Sequence, residues 1–145
     1  MKLGDSLPEF NLKNQEGYLI SSTDLKGKDP LVIYFYPKNF TPGCNREACG
    51  FRDSFEEFSA KGAQVIGISA DSVASHQKFA SYYKLPFILL SDSKNEVRKL
   101  FGVKSNLLGI LPGRETFVFN KEGNLTFKFK SMGADAHIEK ALKHI

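Results

Sequence analysis

The chain has 145 residues, of which 25% are charged and 41% hydrophobic, so we expect one globular domain, residues 1–145, rather than a disordered, collagen-like or coiled-coil chain. The longest apolar run is strand-sized, far below the roughly 20 residues that cross a bilayer, and residues 1–8 lack the apolar segment of a secretory signal, so we expect a cytoplasmic protein with no membrane partner. The net charge of +4 comes from scattered lysines and arginines rather than from a patch, so we expect no nucleic-acid partner.

The first third of the chain predicts a hairpin, a buried strand and a helix. Residues 10–12 and 18–21 flank a turn of Asn-Gln-Glu-Gly and predict an N-terminal β-hairpin. Residues 31–35 are apolar throughout, as expected of a strand that is covered on both faces. A loop rich in turn formers, residues 36–43, follows, and a helical pattern then extends to about Ala60.

The middle of the chain alternates strands with helices. The predicted elements are a strand at residues 65–69, a helix from Asp71 or Ser72 to Tyr83, a strand at residues 87–90, and a short helix from Asp92 or Ser93 to before Gly102. Aspartate and serine are predicted at the helix starts because their side chains accept hydrogen bonds from the first free N–H groups.

The last third predicts a second hairpin and a closing helix. Residues 115–119 and 125–129 flank a turn at residues 120–124, and apolar residues recur at helical spacing from Ile138 to Ile145. In the second strand of this hairpin, Phe127 and its apolar neighbours alternate with a lysine-rich solvent face. The whole pattern predicts an α/β fold, a thioredoxin-like sandwich with a mixed central sheet and helices on both faces.

The chemically informative segment is residues 36–53, which begins where a buried strand ends. Open α/β sheets form their ligand crevices at such strand ends. Cys44 stands in the first turn of the predicted helix, where unpaired backbone N–H groups and the positive end of the helix dipole favour a thiolate. Cys44 is therefore predicted to be a nucleophile.

Helix geometry predicts different roles for the two cysteines. One helical face is apolar and aromatic, and its members are Cys44, Ala48, Phe51, Phe55 and Phe58. Cys44 is thus expected at the mouth of a buried pocket. Cys49 lies about 140° round the helix, and an intact helix would hold the two Cα atoms about 8 to 9 Å apart, beyond the ~7 Å that a disulfide spans. The pair can bridge only if the first turns unwind, which suits a catalytic cycle better than a permanent crosslink.

Other cysteine chemistries fit less well. A zinc site needs about four ligands, and His76, His137 and His144 show no ligand spacing relative to the cysteines, so no metal is expected. A hydrolase of the Cys-His type needs a base beside the thiol, and the sequence identifies none. A thioredoxin-type oxidoreductase has two residues between its cysteines, whereas this chain has four.

At these residues the chain resembles the peroxiredoxins of the Q type, also called the bacterioferritin-comigratory-protein type. The family motif, in which a proline is followed by a threonine and then by a cysteine, stands here at residues 37–44, and the second cysteine of the subfamily is Cys49. Residues 47–53 also match, and residues 113–118 resemble the strand that carries the family's active-site arginine. The likeness runs from about Lys2 to the last residue.

The resemblance implies a thiol peroxidase that reduces hydrogen peroxide and organic hydroperoxides. Cys44 would be the peroxidatic cysteine, and Arg114 would stabilise its thiolate and donate hydrogen bonds to the peroxide. The Thr41 hydroxyl would orient thiolate and peroxide, and Pro37 would shield the pocket from water. The backbone N–H groups of Gly43 and Cys44 would complete the substrate cradle.

The resemblance also implies how the enzyme is regenerated. Cys49 would condense with the sulfenic acid of Cys44 to give an intramolecular disulfide, and a thioredoxin-like protein would reduce that disulfide by exchange. It implies no metal, flavin or haem cofactor. It also implies that the protein is a monomer.

A redox sensor remains an alternative function. In a sensor, a Cys44–Cys49 switch would change the affinity for a protein partner. The same residues could perform both roles, and a full peroxide cradle, which includes Thr41 and Arg114, is what favours the peroxidase.

Overall fold

Strands and helices alternate in the computed structural model, which describes residues 1–104 and 113–145. The strands are β1 (Asn11–Asn14), β2 (Leu19–Ser21), β3 (Leu31–Phe35), β4 (Gln64–Ser69), β5 (Ile88–Ser91), β6 (Glu115–Phe119) and β7 (Leu125–Lys130). The helices are α1 (Ser22–Leu25), α2 (Pro42–Asp53), α3 (Phe55–Ala60), α4 (Val73–Tyr83), α5 (Glu96–Leu100) and α6 (Asp135–Lys143). No helix within these two ranges is long and apolar enough to cross a membrane.

The strands form one mixed sheet in the order β2-β1-β5-β4-β3-β6-β7. The three central strands β5, β4 and β3 are parallel, whereas β6 pairs antiparallel with β3 and with β7. The N-terminal hairpin of β1 and β2 joins the sheet through an antiparallel pairing with β5. These pairings confirm the predicted mixed sheet and the N-terminal hairpin.

The central strand β3 separates two hydrophobic cores. Its even-numbered residues, such as Tyr34, pack with apolar residues of α2, α3, α4 and α6. Its odd-numbered residues, such as Ile33, pack with apolar residues of α1 and α5. Because successive strand side chains point to opposite faces, one fully buried strand supports helices on both sides of the sheet. The predicted thioredoxin-like α/β sandwich is confirmed.

Two helix boundaries differ from the prediction. The helix expected up to Ala60 is interrupted at Ser54, whose backbone leaves the helical region, so that α2 and α3 are separate. Serine favours such positions because it competes with the helical backbone for hydrogen bonds. The helix expected to begin at Asp92 or Ser93 begins later, at Glu96. The Asp92 carboxylate still accepts hydrogen bonds from N–H groups of its first turn.

Candidate active site

The antiparallel pairing of β3 with β6 brings distant parts of the sequence together. Phe35, the last residue of β3, lies opposite Glu115, the first residue of β6. The loop to α2 therefore leaves the sheet next to the point at which Arg114 enters it. This arrangement brings Arg114 and Cys44, which are 70 positions apart, into contact.

Cys44 lies in the first turn of α2 with only 1% of its surface exposed. Thr41 is the N-cap and Pro42 the first helical residue, which suits proline because the first helical N–H has no partner within the helix. The first turn contains no acidic side chain that would compete for the positive end of the helix dipole. The sulfur therefore lies at the positive end of the α2 dipole, where the sequence places it.

Arg114 makes three contacts that hold its guanidinium against Cys44. Its Nη2 donates to Cys44 Sγ at 3.3 Å, its Nη1 donates to Glu47 Oε1 at 2.5 Å, and its Nε donates to the Met132 carbonyl at 3.1 Å. Burial by itself lowers the pKa of Arg114, but the adjacent Glu47 and Cys44 outweigh that effect and raise it. The guanidinium is therefore a permanent positive charge beside the sulfur.

Glu47 is a functional residue that the sequence reasoning missed. Its side chain is fully buried, and burial raises its pKa to about 8, although Arg114 opposes the shift. Near neutral pH the carboxyl is therefore mostly protonated, and it positions Arg114 while leaving the guanidinium charge available to Cys44. Glu47 lies about 60° from Cys44 on a helical wheel. A carboxyl so close to the apolar face of the helix is the sequence feature that could have indicated a buried, functional glutamate.

The buried imidazole of His137 lies next to Glu47, with 3.7 Å between His137 Nδ1 and Glu47 Oε2. Its Nε2 lies 2.8 Å from the Ser131 carbonyl, which can only accept, so Nε2 carries the proton and Nδ1 accepts from the Thr116 hydroxyl at 2.7 Å. Burial lowers the pKa of His137 to about 4. The ring is therefore neutral under ordinary conditions and adds no charge that would compete with Arg114.

Gly43 permits the close approach of Arg114. A Cβ atom built at this position would lie 2.9 Å from Arg114 Nη2, which is closer than van der Waals contact allows. The absence of a side chain, rather than an unusual backbone conformation, is what the site requires here. The sequence predicts a close approach at Gly43 but not the group that makes it.

Thr41 and Pro37 belong to the loop that leads into α2. The Thr41 hydroxyl donates to the Lys38 carbonyl at 2.7 Å, a hydrogen bond within the loop. Pro37 is half-buried and directly follows Tyr36, which is fully buried. Both residues therefore lie in the short segment between the end of β3 and Cys44.

A buried polar network centred on Asn39 supports this loop. The Tyr36 hydroxyl donates to Asn39 Oδ1 at 2.6 Å, and the Asn39 backbone N–H donates to Asp71 Oδ2 at 2.9 Å. Asn39 Nδ2 lies 3.0 Å from His76 Nδ1 and donates to Ser75 Oγ at 3.1 Å. Because an amide nitrogen can only donate, His76 Nδ1 accepts this bond, and burial lowers the pKa of His76 in the same sense. The network fastens the loop to α4.

Cys49 lies in the same helix as Cys44 and is partly buried, and both thiols are free. Helix α2 runs without interruption through both cysteines, as the sequence predicts for the reduced protein. Five residues of regular helix separate the two Cα atoms by roughly 8.6 Å, which is too far for a disulfide.

The described residues contain no group of three or more histidine, cysteine, aspartate or glutamate side chains that could hold a metal ion. His76 and His137 take part in the buried networks above. His144 stacks on Phe127, with 3.7 Å between the ring centroids.

Comparison with known proteins points to one family. Residues 3–128 match the AhpC/TSA family. The chloroplastic peroxiredoxin Q of Sedum lineare is 52% identical over 141 residues, which cover 97% of this chain and 75% of that protein. The chloroplastic peroxiredoxin Q of Triticum aestivum is 50% identical over 143 residues, which cover 98% of this chain and 65% of that protein.

A solved structure agrees with these relatives. The crystal structure of peroxidoxin BcpB from Mycobacterium tuberculosis superposes with a TM-score of 0.91 at 40% sequence identity, covering 99% of this chain and 96% of that one.

The same relatives correct one expectation. A cytoplasmic location was expected because residues 1–8 lack an apolar signal segment, but the plant relatives that match nearly all of this chain are named chloroplastic. The expectation was wrong because the absence of a secretory signal does not distinguish the cytoplasm from other compartments.

Proposed function

Because this chain belongs to the AhpC/TSA family and is a peroxiredoxin, a thiol peroxidase, we propose that Cys44 is its peroxidatic cysteine and Cys49 its resolving cysteine. The observation that carries the proposal is the Arg114 guanidinium, whose Nη2 lies 3.3 Å from the buried sulfur of Cys44 at the start of α2. Cys49 lies in the same helix and is only partly buried, and its interaction with the neighbouring Arg52 is electrostatic.

The first step is attack of the Cys44 thiolate on the distal oxygen of a hydroperoxide. An S–O bond forms while the O–O bond breaks, and the leaving oxygen takes the electron pair and a proton to become water or an alcohol. The sulfur is oxidised to sulfenic acid and the peroxide is reduced. Arg114 stabilises the thiolate and then the negative charge that moves onto the leaving oxygen.

The neighbouring loop shapes the substrate site. We assign Gly43 to the cradle because its missing side chain leaves room for Arg114, and the N–H groups of Gly43 and Cys44 belong to the unpaired first turn. We assign the Thr41 hydroxyl to orientation of thiolate and peroxide, and Pro37 to exclusion of water from the same pocket. Their position between β3 and Cys44 supports these roles.

Hydrogen peroxide and organic hydroperoxides are the proposed substrates. An open groove of about 420 Å³ adjoins the Cys44 turn, and its lining combines small residues such as Gly43 with the longer side chains of Arg46 and Met132. Such a groove can accept the carbon chain of an organic hydroperoxide next to the reacting cysteine.

The second step forms the disulfide. The Cys49 thiol attacks the Cys44 sulfur, an S–S bond forms, and the sulfenic oxygen leaves as water after taking a proton. Because regular helix holds the two cysteines too far apart, the first turns of α2 must unwind for this step.

A thioredoxin-like dithiol protein is the proposed reductant. Its thiolate would attack the disulfide and form a mixed disulfide, and its second thiol would then release the reduced enzyme. We further propose that the enzyme acts as a monomer, because Cys44, Cys49 and Arg114 all come from one chain.

The test compares Cys44→Ser with Cys49→Ser while peroxide consumption is followed with a thioredoxin system. Cys44→Ser should lose all peroxidase activity. Cys49→Ser should reduce one peroxide per chain and then stop. Unchanged turnover of Cys44→Ser would overturn the assignment, and a wild-type chain that is oxidised once but does not turn over would favour the sensor instead.

A further inference from the structure

Arg98 is a buried charge that the reaction described above does not use. It lies in the short helix α5 with 5% of its surface exposed. A buried guanidinium is unfavourable unless its N–H groups are paired, so the partners of Arg98 indicate what its burial achieves.

The guanidinium of Arg98 joins the two chain segments that carry the catalytic groups. Its Nη1 donates to the Gly113 carbonyl at 2.7 Å, and its Nη2 donates to the Tyr36 carbonyl at 2.8 Å. Tyr36 directly precedes the loop to Cys44, and Gly113 directly precedes Arg114. The planar guanidinium thus binds the residue that precedes each of the two segments.

These bonds begin where the ladder between β3 and β6 ends. The last residues that pair β3 with β6 are Phe35 and Glu115, and beyond them the two chains no longer bond to each other. Arg98 therefore replaces the ladder at the point of divergence. Its five donors in a rigid fork suit two carbonyl oxygens, which a single ammonium group cannot match in the same plane.

Arg98 itself is held in place from two sides. The Asp92 carboxylate accepts from the backbone N–H groups of Val97 and Arg98, at 3.1 Å and 2.9 Å, which anchors the first turn of α5. The Arg98 guanidinium carbon lies 5.6 Å from the centre of the Phe35 ring. A group fixed in this way can transmit its position to the segments that it binds.

We propose that Arg98 is a positioning residue for peroxide reduction, which sets the distance between Arg114 and the Cys44 sulfur by fastening Gly113 to Tyr36. The inference rests on the proposed roles of Cys44 and Arg114. Arg98 makes no hydrogen bond to either of the reacting atoms, although its charge interacts with the Cys44 sulfur, and Arg98→Lys, which keeps that charge, separates the two effects.

The test measures the second-order rate constant for oxidation of Cys44 by hydrogen peroxide, in competition with a peroxidase of known rate. Arg98→Met removes the fork, and Arg98→Lys keeps the charge without it. Lys99→Met is a matched control that removes an exposed cation from the same helix. Val97→Ala is a second control that loosens the buried side of α5 without touching the carbonyls.

The rate constant of Arg98→Met should fall about 10- to 100-fold, because a 1 Å misplacement of a catalytic group costs about 100-fold. Arg98→Lys should lie between Arg98→Met and wild type, and both controls should stay within about twofold of wild type. The ultraviolet absorbance of the thiolate, measured against pH, should show less thiolate in Arg98→Met at a given pH.

A double-mutant cycle separates positioning from a general structural effect. In an Arg114→Ala background, Arg98→Lys should cause no further fall, because the charge is kept and the group that Arg98 positions is absent. An equal fall in that background would overturn the proposal, as would a rate for Arg98→Met within about twofold of wild type. If Arg98→Met does not fold, Arg98→Lys is subjected to the same criteria. Wild-type activity, measured in the same assay, tests the proposed function separately.

Discussion

A methyl group added at Gly43 tests the contact between Arg114 and Cys44. In Gly43→Ala the new Cβ would lie 2.9 Å from Arg114 Nη2, whereas ordinary contacts begin near 3.4 Å. The guanidinium must therefore move by about half an ångström, which disturbs the 3.3 Å contact of Nη2 with Cys44 Sγ.

The size of the effect follows from that displacement. Because a misplacement of 1 Å costs about 100-fold in rate, half that distance should lower the second-order rate constant with hydrogen peroxide about tenfold. The variant should remain folded. Replacement of glycine by alanine in a helix gains up to about 1 kcal/mol, which offsets the displacement of one neighbouring side chain.

Gly50→Ala is the matched control for this experiment. Gly50 lies in the same helix, and its added Cβ would also meet a side-chain atom at 2.9 Å, but that atom is the end of Ile138, away from the reacting sulfur. Both variants are assayed by competition kinetics, with thermal unfolding measured in parallel. A Gly43→Ala rate equal to that of Gly50→Ala would refute the claim that Gly43 is needed for the Arg114 contact.

Two further predictions concern Glu47 and helix α2. As the pH rises through about 8, Glu47 loses its proton and its new charge competes with the thiolate for Arg114, so the wild-type rate should fall. Glu47→Gln cannot ionise, so its rate should stay level over the same alkaline range in stopped-flow assays, and an identical decline in both proteins would exclude this cause. Formation of the Cys44–Cys49 disulfide should abolish the hydrogen-exchange protection of the first turns of α2, and equal protection in the reduced and oxidised forms would contradict the unwinding step.

The ionisation of Glu47 also has a consequence for stability. Its folded pKa of about 8 lies above the ordinary value of 4.5, so the folded chain binds more protons than the unfolded chain between these values. Stability contributed by the protonated carboxyl is therefore fully present below about pH 4.5 and is lost as the pH rises through about 8. For His137 the folded pKa of about 4 lies below the ordinary value of 6.5. The stability contributed by its neutral ring is therefore fully present above about pH 6.5 and is lost as the pH falls through about 4.

Local sequence was sufficient for most elements of the fold. The apolar run that became β3 and the proline that starts α2 act through neighbouring residues only, whereas Gly43 also has to accommodate the distant Arg114. Ser54 shows the limit of this reasoning, because the apolar periodicity continues across it through Phe58 while the backbone does not. Periodicity reports which side chains are buried, not whether one helix or two carries them.

The sequence by itself determined the nature of the reacting group: a cysteine in the first turn of a helix, with a second cysteine too far along that helix to bridge without unwinding. Both conclusions depend on helix geometry, which is the same in every protein. Only the tertiary structure decided which charges act on the sulfur, because these depend on strand order and burial. The pairing of β3 with β6 brings Arg114 to Cys44, and packing of α2 against the sheet and α6 buries Glu47 and raises its pKa. The bonds of Arg98 to Tyr36 and Gly113 are likewise known only from the structure, because no local sequence pattern relates these two residues.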